Sequence, residues 1–254
     1  MKKRLLLILV IIILAAGGWF FVRQRSNNDA STSSSGTSKN TPGTQASSFD
    51  KKQFSLTDPT SIWVITNKHN PLIPKTYAPT DLVVPAIPLR LTAKDDEMLM
   101  RKPAADALKE MYDGAQQSGL KLMVSSGYRS YSFQVALYNR YVQEQGKAVA
   151  DTQSARPGYS EHQTGLAVDL EPASRTCEVE DCFAQTPEGK WVAANAYKYG
   201  FVIRYQQSSQ AVTGYIYEPW HVRYVGKALA AELNKEGNPT LEAFFGLGAA
   251  PDYL

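Results

Sequence analysis

Residues 160–169 read SEHQTGLAVD and set His162 seven positions before Asp169. Gly165 lies between them, and the short apolar run 166–170 that carries the aspartate is typical of a strand. A histidine in a loop and an aspartate on the following strand can converge on one point at this separation. The decapeptide therefore predicts a chemical site supported by a strand.

A second run, EPWH at 218–221, places Glu218 three positions before His221. The flanking aromatic residues Tyr217 and Trp220 can exclude water from this carboxylate and imidazole. Two imidazoles and one carboxylate are a usual ligand set for catalytic zinc, and they leave a fourth position open for water. The remaining carboxylate, Glu218, is then placed to act as a base.

Apolar periodicity predicts the secondary structure around these runs. Helices and strands are mixed without a strict alternation, which favours an α+β domain over an α/β fold. Five prolines between residues 63 and 89 predict an irregular segment that wraps the core. Helices are expected over 95–118, 130–145, 188–199, 225–235 and 240–245, and strands over 120–125, 166–170, 201–205 and 215–217.

Composition sets broad limits on the function. The chain has 254 residues, of which 43% are hydrophobic and 20% charged, so collagen-like, coiled-coil and wholly disordered chains are excluded. The formal net charge of +3 comes from basic residues near the start of the chain. Residues 51–254 are close to neutral, which argues against a nucleic-acid partner.

The first 50 residues predict export. An uncharged apolar run at 5–22 is just long enough for a membrane helix, and the preceding basic residues favour a cytoplasmic amino terminus. A cleaved secretory signal is the alternative. We therefore expect an anchor over 1–25, a disordered Ser/Thr-rich linker over 26–50 and one extracytoplasmic domain over 51–254, secreted if the signal is cleaved.

Cys177 and Cys182 are the two cysteines of the chain. Outside the cytoplasm such a pair favours a disulfide over a redox or metal site. Two free buried thiols are the alternative.

The motifs together resemble the VanY-type zinc D-alanyl-D-alanine carboxypeptidases, a family that also includes L,D-carboxypeptidases of peptidoglycan. The similarity runs from about Trp63 to Gly226 and departs from the family pattern at no metal or base position. It is carried by the decapeptide, the cysteine pair, SGYRS at 126–130, GKW at 189–191, YGFVIRY at 199–205 and TGYIYEPWHVRYVG at 213–226.

The resemblance implies zinc bound by His162, Asp169 and His221, with Glu218 as the catalytic base. It also implies a single small metallopeptidase domain in which a short antiparallel sheet supports the metal. Zinc makes hydroxide available near neutral pH and polarises the scissile carbonyl, which fits these roles.

A peptidase that removes a terminal residue must also hold the substrate carboxylate and the developing oxyanion, and a fixed guanidinium suits both tasks. Arg129 matches the arginine of the family that binds substrate. Gln134 and Ser160 are expected to donate hydrogen bonds to the terminal group, with a helix-surface amide and a turn hydroxyl as the alternatives. Trp220 is expected to line the pocket.

Other residues have plainer interpretations. His69, in the proline-rich segment, is expected to be structural or exposed, and Arg204 and Arg223 are too generic to assign. Aromatic residues at strand positions are more often core than pocket, which applies to Tyr159, Tyr215 and Tyr217.

The leading hypothesis is an enzyme that removes the terminal D-alanine from peptidoglycan stem peptides while facing the wall from a membrane anchor. Cleavage of the L,D bond of the tetrapeptide stem is the alternative within the same chemistry. A non-catalytic module that only binds wall peptides is the third hypothesis. Glu218 beside three ligands argues against it, because structural zinc is normally closed by four protein ligands.

Overall fold

The computed structural model describes residues 49–254. The predicted anchor over 1–25 and almost all of the predicted linker lie outside these residues. Within the described part of the chain, no helix is long and apolar enough to cross a membrane.

The described residues form a single small domain that mixes helices and strands, which confirms the α+β class. The strands are β1 (Leu82–Val83), β2 (Met100–Arg101), β3 (Leu122–Ser126), β4 (Ala167–Pro172), β5 (Phe201–Tyr205) and β6 (Glu218–Tyr224). The α-helices are α1 (Lys102–Gln117), α2 (Tyr131–Gln145), α3 (Lys147–Gln153), α4 (Pro187–Asn195), α5 (Gln210–Thr213), α6 (Lys227–Lys235) and α7 (Leu241–Phe245). Short 3-10 helices cover Asp96–Met98, Glu161–Thr164, Asp181–Gln185 and Ala196–Tyr199.

The central sheet has four antiparallel strands in the order β3-β4-β6-β5. Both β4 and β6 are inner strands, and nearly every residue along them is buried. The register of this inner pair sets Asp169 opposite His221. Two of the candidate ligands are therefore brought together by backbone pairing alone.

Helix α1 packs its apolar side on the core and starts later than the sequence predicts. Asp96–Met98 forms a 3-10 turn, and β2 pairs with β1 before the helix begins. Pro103 stands in the first turn of the helix, where its missing N–H costs no intrahelical hydrogen bond. The predicted start at residue 95 was therefore wrong, because the proline marks the beginning of this helix.

The strand predicted over 215–217 was also wrong, since these residues form the approach to β6. Gly214 ends α5 with a positive φ of 79° and turns the chain before the strand begins at Glu218. Residues 220–224 of β6 alternate apolar and polar side chains, and six of the seven residues of the strand are buried. Pro219 argues against a strand at this position in the sequence, because proline is rare in a central strand.

The proline-rich segment 63–89 wraps the core as predicted, with β1 as its one strand. The indole of Trp63 donates a hydrogen bond of 2.9 Å to the carbonyl of Val225. The ring of Phe49, two positions before the predicted start of the domain, stacks on the ring of Trp63 at 5.6 Å between centroids. Through Trp63, the proline-rich segment packs against both the start of the described chain and its last helix.

Candidate metal and active site

Three side chains that the sequence singled out as metal ligands meet at one point. The ligand atoms of His162, Asp169 and His221 all lie within 4.8 Å of one another, and all three residues are buried. His162 comes from the 3-10 helix Glu161–Thr164, whereas the other two come from β4 and β6.

The orientation of His162 is set by a backbone carbonyl. Nδ1 donates a hydrogen bond of 2.7 Å to the carbonyl oxygen of Gly127, which leaves Nε2 facing Asp169 at 3.3 Å. A Cβ atom at Gly127 would lie 2.4 Å from the carbonyl oxygen of Leu99, so only glycine fits there. Burial and the nearby positive charge of Arg129 lower the pKa of His162 to about 4, which keeps its imidazole neutral at pH 7.

His221 is held from behind by Glu161, a residue that the sequence analysis did not assign. Nε2 donates to Oε2 of Glu161 at 3.3 Å, so Nδ1 is the atom that faces Asp169, at 3.2 Å from Oδ1. Burial alone would lower the pKa of His221, but its contacts with Asp169 and Glu161 outweigh burial and raise the pKa to about 9. Carboxylate oxygens of Glu161 and Asp169 therefore lie on both sides of this imidazole.

Glu161 is in turn fixed by two buried arginines. Its Oε1 accepts hydrogen bonds of 2.8 Å from Nε of Arg204 and from Nη1 of Arg223. Arg204 also forms a two-point ion pair with Glu242, at 3.0 and 2.6 Å. Burial would raise the pKa of Glu161, but the two guanidinium groups hold it well below its usual range. The carboxylate that orients His221 is therefore ionised at neutral pH.

A signal for this charged cluster was present in the sequence. Arg204 interrupts the otherwise apolar strand β5 and Arg223 stands between Val222 and Tyr224, and charged residues are almost never fully buried unless they are paired. Both were set aside as generic, because the sequence does not show which carboxylate pairs with them. The structure identifies Glu161 and Glu242 as those partners.

The three ligands fit a zinc ion by their chemistry and by one unpaired atom. Within residues 49–254, Oδ1 of Asp169 is buried without a hydrogen-bond partner, because its approach to His221 lacks hydrogen-bond geometry. Burial opposes ionisation of Asp169, but His162 and His221 hold its pKa well below the usual range. Two imidazole nitrogens and one carboxylate oxygen form a set that zinc accepts with a position left for water.

Glu218 lies beside the ligands at the start of β6. Its Oε2 is 3.7 Å from Nδ1 of His221, and the residue is 8% exposed toward the groove described below. Burial raises the pKa of Glu218 to about 8. A carboxyl group with such a pKa can both accept and release a proton near neutral pH.

Arg129 lies on another side of the ligands, just after β3. Nη1 donates to Oγ of Ser126 at 3.0 Å and lies 3.5 Å from Oδ2 of Asp169. Nε donates to Oε1 of Gln134 at 3.2 Å. These contacts fix the guanidinium, and Arg129 borders the groove.

Gln134 is placed differently from its predicted role. The residue is fully buried, and its Nε2 donates to Oγ of Ser154 at 3.1 Å and to the carbonyl of Ala155 at 2.8 Å. Both ends of the amide are thus bonded to protein groups. This placement favours a role in holding Arg129 over a direct contact with substrate.

The site opens into a groove of about 650 Å³. Trp220 borders this groove as predicted, and its 8% exposed ring also packs into the core. Ser160 borders a smaller pocket of about 30 Å³ that it shares with Arg129 and Glu218. Tyr215 is buried, as the core interpretation expects, and also borders the smaller pocket, whereas Tyr217 is half-buried and lines the groove.

The edge of the groove is shaped by a disulfide loop. Cys177 and Cys182, the pair expected to be bridged, are joined in a disulfide. Val179, Glu180 and Asp181, which lie between them, border the groove. His69, expected to be structural or exposed, is half-buried in the proline-rich wrap and does not belong to the ligand cluster.

Comparison with known proteins agrees with this geometry. The profile of the VanY family, described as D-alanyl-D-alanine carboxypeptidase, matches residues 97–227. The putative carboxypeptidase YodJ of Bacillus subtilis (strain 168) is 44% identical over 190 residues, which cover 75% of this chain and 69% of that protein.

Solved structures give the same result. The LdcB LD-carboxypeptidase, in a structure concerned with peptidoglycan recognition, is 44% identical with a TM-score of 0.70, over 74% of this chain and 87% of that one. A D,D-pentapeptidase VanY mutant from a VanB-type vancomycin resistance cassette was solved with Zn(II). It is 28% identical with a TM-score of 0.58, and the match covers 71% of this chain and 97% of that one. The chain thus belongs to the VanY family of carboxypeptidases.

Proposed function

We propose that this carboxypeptidase is a zinc enzyme that removes the terminal D-alanine from peptidoglycan stem peptides. His162, Asp169 and His221 would hold the ion. The observation that carries the proposal is the position of Arg129 and Glu218, which border the same small pocket beside these ligands. Arg129 supplies a fixed positive charge, and Glu218 supplies a carboxyl group that can exchange protons.

Arg129 accounts for the choice of a terminal residue. A guanidinium forms strong, directional hydrogen bonds with a carboxylate, so a free carboxyl terminus would be held next to the ligands. Ser160 adds a hydroxyl to the same pocket. A pocket of about 30 Å³ suits a small group such as a methyl better than a large side chain.

Glu218 accounts for the proton transfers. His162, Asp169 and His221 would hold a zinc ion, which would supply a nucleophilic water near neutral pH and polarise the scissile carbonyl. Glu218 accepts the proton from the attacking water and passes it to the leaving amine. Burial raises the pKa of Glu218 to about 8, and the positive charge of a bound cation would lower that pKa and favour the ionised carboxylate that the base requires.

Two stem-peptide bonds release a terminal D-alanine. The D,D bond of the pentapeptide is our first candidate, and the description of the family profile supports it. The L,D bond of the tetrapeptide is the second candidate, and the 44% identity with LdcB supports it. The ligands, Arg129 and Glu218 serve either bond.

We also propose that the domain works outside the cytoplasm, joined to the membrane by the apolar run 5–22 and the linker over 26–50, with secretion after signal cleavage as the alternative. A substrate in the cell wall supports this placement, as does a disulfide, which persists in oxidising compartments. Protease added to intact cells should remove the domain and leave cytoplasmic proteins uncut.

Mass spectrometry of stem peptides tests the activity. The zinc-loaded full-length protein is incubated with a pentapeptide ending in D-Ala-D-Ala and, separately, with the tetrapeptide. Loss of one alanine from the pentapeptide alone supports the D,D assignment, and loss from the tetrapeptide alone supports the L,D assignment. Zinc binding without loss from either peptide would contradict the proposal and favour a module that only binds wall peptides.

A further inference from the structure

We propose that Tyr253 is a positioning residue for substrate binding, because it fixes two walls of the pocket that holds the terminal residue. It does so from a segment far from the metal ligands in sequence. The assignment rests on the proposed function, since the pocket is where that function places the substrate carboxylate. Nothing in the motifs around the ligands points to this residue.

The contacts of Tyr253 reach both walls. Its hydroxyl accepts a hydrogen bond of 2.8 Å from the backbone N–H of Arg156 and lies 3.1 Å from the hydroxyl of Tyr215. Its ring meets the ring of Tyr159 edge-on, with centroids 5.1 Å apart. The guanidinium of Arg156 lies over the same ring, 4.0 Å from its centroid.

The buried Lys68 contacts both the segment that carries Tyr215 and the segment that carries Tyr253. Nζ of Lys68 donates to the carbonyl oxygens of Gly214 and Pro251, each at 2.8 Å. It also lies over the rings of Tyr215 and Tyr253, at 4.9 and 5.5 Å from their centroids. We call Lys68, Arg156, Tyr159, Tyr215 and Tyr253 the tyrosine clasp. Lys68 holds the two segments that carry Tyr215 and Tyr253 at a fixed separation.

The first wall held by the clasp is the loop over residues 154–160. This loop has no helix or strand of its own, yet it supplies Ser154 and Ser160 to the small pocket. Oγ of Ser154 and the carbonyl of Ala155 are also the acceptors for the amide of Gln134, which in turn holds Arg129. Displacement of the loop would therefore reach the guanidinium as well as the serines.

The second wall begins at Tyr215. Its ring lies 4.8 Å from the ring of Tyr205, which lies 4.9 Å from the ring of His221. Both tyrosines border the small pocket. Because the pocket measures only about 30 Å³, small displacements of either wall change its fit to a terminal residue.

The test removes one hydroxyl and keeps the ring. Tyr253→Phe should raise KM for the cleaved stem peptide roughly 3–10-fold, the effect of about one hydrogen bond. The value of kcat should stay within about twofold, and zinc affinity should not change, since Tyr253 touches no ligand residue. The matched control is Tyr112→Phe on α1, whose hydroxyl accepts a hydrogen bond from the exposed Gln116 and which should leave KM unchanged.

Hydrogen exchange gives a readout that does not depend on activity. The Arg156 amide loses its acceptor in Tyr253→Phe, so exchange at this amide and across 154–160 should accelerate while the central sheet stays protected. Unchanged exchange together with an unchanged KM would overturn the assignment, as would a loss confined to kcat. If the wild-type protein cleaves no stem peptide, the proposed function fails, and exchange still decides whether the clasp orders the loop.

Discussion

Asp169 and His221 are directly opposite each other on the inner strands β4 and β6, and Nδ1 of the histidine lies 3.2 Å from Oδ1 of the aspartate. Opposed residues of an antiparallel pair have closely spaced Cβ atoms, so the pairing itself fixes the separation of these two ligands. His162 joins them from a short 3-10 helix that is tied to the carbonyl of Gly127. Two thirds of the ligand set is thus placed by sheet register.

Glu218→Gln separates proton transfer from metal binding. Gln has nearly the same shape as Glu but cannot accept a proton, so kcat should fall by about 10²–10⁴-fold. Zinc content, measured by elemental analysis, should remain at the wild-type value because Glu218 is not one of the three ligands. Glu236→Gln, at an exposed position after α6, is the control and should keep full activity. An active Glu218→Gln enzyme would remove Glu218 from the role of base.

Arg129→Ala should abolish the preference for a free carboxyl terminus. We expect kcat/KM for the free acid to fall by roughly 10–100-fold, the value of a hydrogen bond to a charged group. A stem peptide with an amidated terminus should be cut slowly by both proteins. The ratio of the rate for the free acid to the rate for the amide should therefore fall toward one in Arg129→Ala. Arg140→Ala, at an exposed position of α2, should keep the wild-type ratio. The same ratio in Arg129→Ala as in wild type would argue against carboxylate binding.

Glu161→Gln should weaken zinc binding by about 10–100-fold, as loss of partners that orient metal ligands usually does. The physical reason is that Oε2 of Glu161 accepts the proton of Nε2 of His221 and fixes which nitrogen faces the metal. Competition with a chelator of known affinity measures the change. Glu178→Gln, which removes a partly exposed partner of Arg90, is the control for loss of one carboxylate. Equal affinities in wild type and Glu161→Gln would show that His221 needs no such support.

Glu242 makes stability depend on pH. Burial would raise the pKa of Glu242, but Arg204 outweighs burial and lowers it below the ordinary value of 4.5. The folded state therefore binds the proton more weakly than the unfolded state. The stabilisation is fully present above about pH 4.5 and is lost as pH falls through the lower folded-state pKa.

Glu242→Gln tests this dependence. At pH 7 the variant should lose about 3–5 kcal/mol of unfolding free energy, because Arg204 then keeps only Glu161 as a buried charged partner. The difference from wild type should shrink below pH 4.5, which urea unfolding at pH 7, 5 and 4 measures. A difference that stays constant with pH would assign the effect to packing.

The clustering of His162, Asp169 and His221 beside Glu218 could be predicted from sequence because these residues lie in two short runs of fixed spacing. Strand β6 was not predicted, because Pro219 near its start argues against a central strand, although residues 220–224 alternate apolar and polar side chains. The structure therefore corrects the predicted strand over 215–217, although the ligand within β6 was identified.

Residues that act through others were harder to predict. Gln134 was expected at the substrate, but its amide partners lie about 20 positions away in a loop without periodicity. Glu161 lies between two assigned residues of the decapeptide, and its role depends on Arg204 and Arg223, which are distant in sequence. Such long-range pairing is decided by tertiary contacts and leaves no local pattern.

The strand order β3-β4-β6-β5 also determines when the metal site can be assembled. Strand β6 is the last of these strands along the chain, and it pairs with β4 on one side and with the edge strand β5 on the other. Asp169 stays without its opposite ligand until β6 pairs with β4. A nascent chain therefore lacks the complete set of candidate ligands until synthesis has passed residue 221.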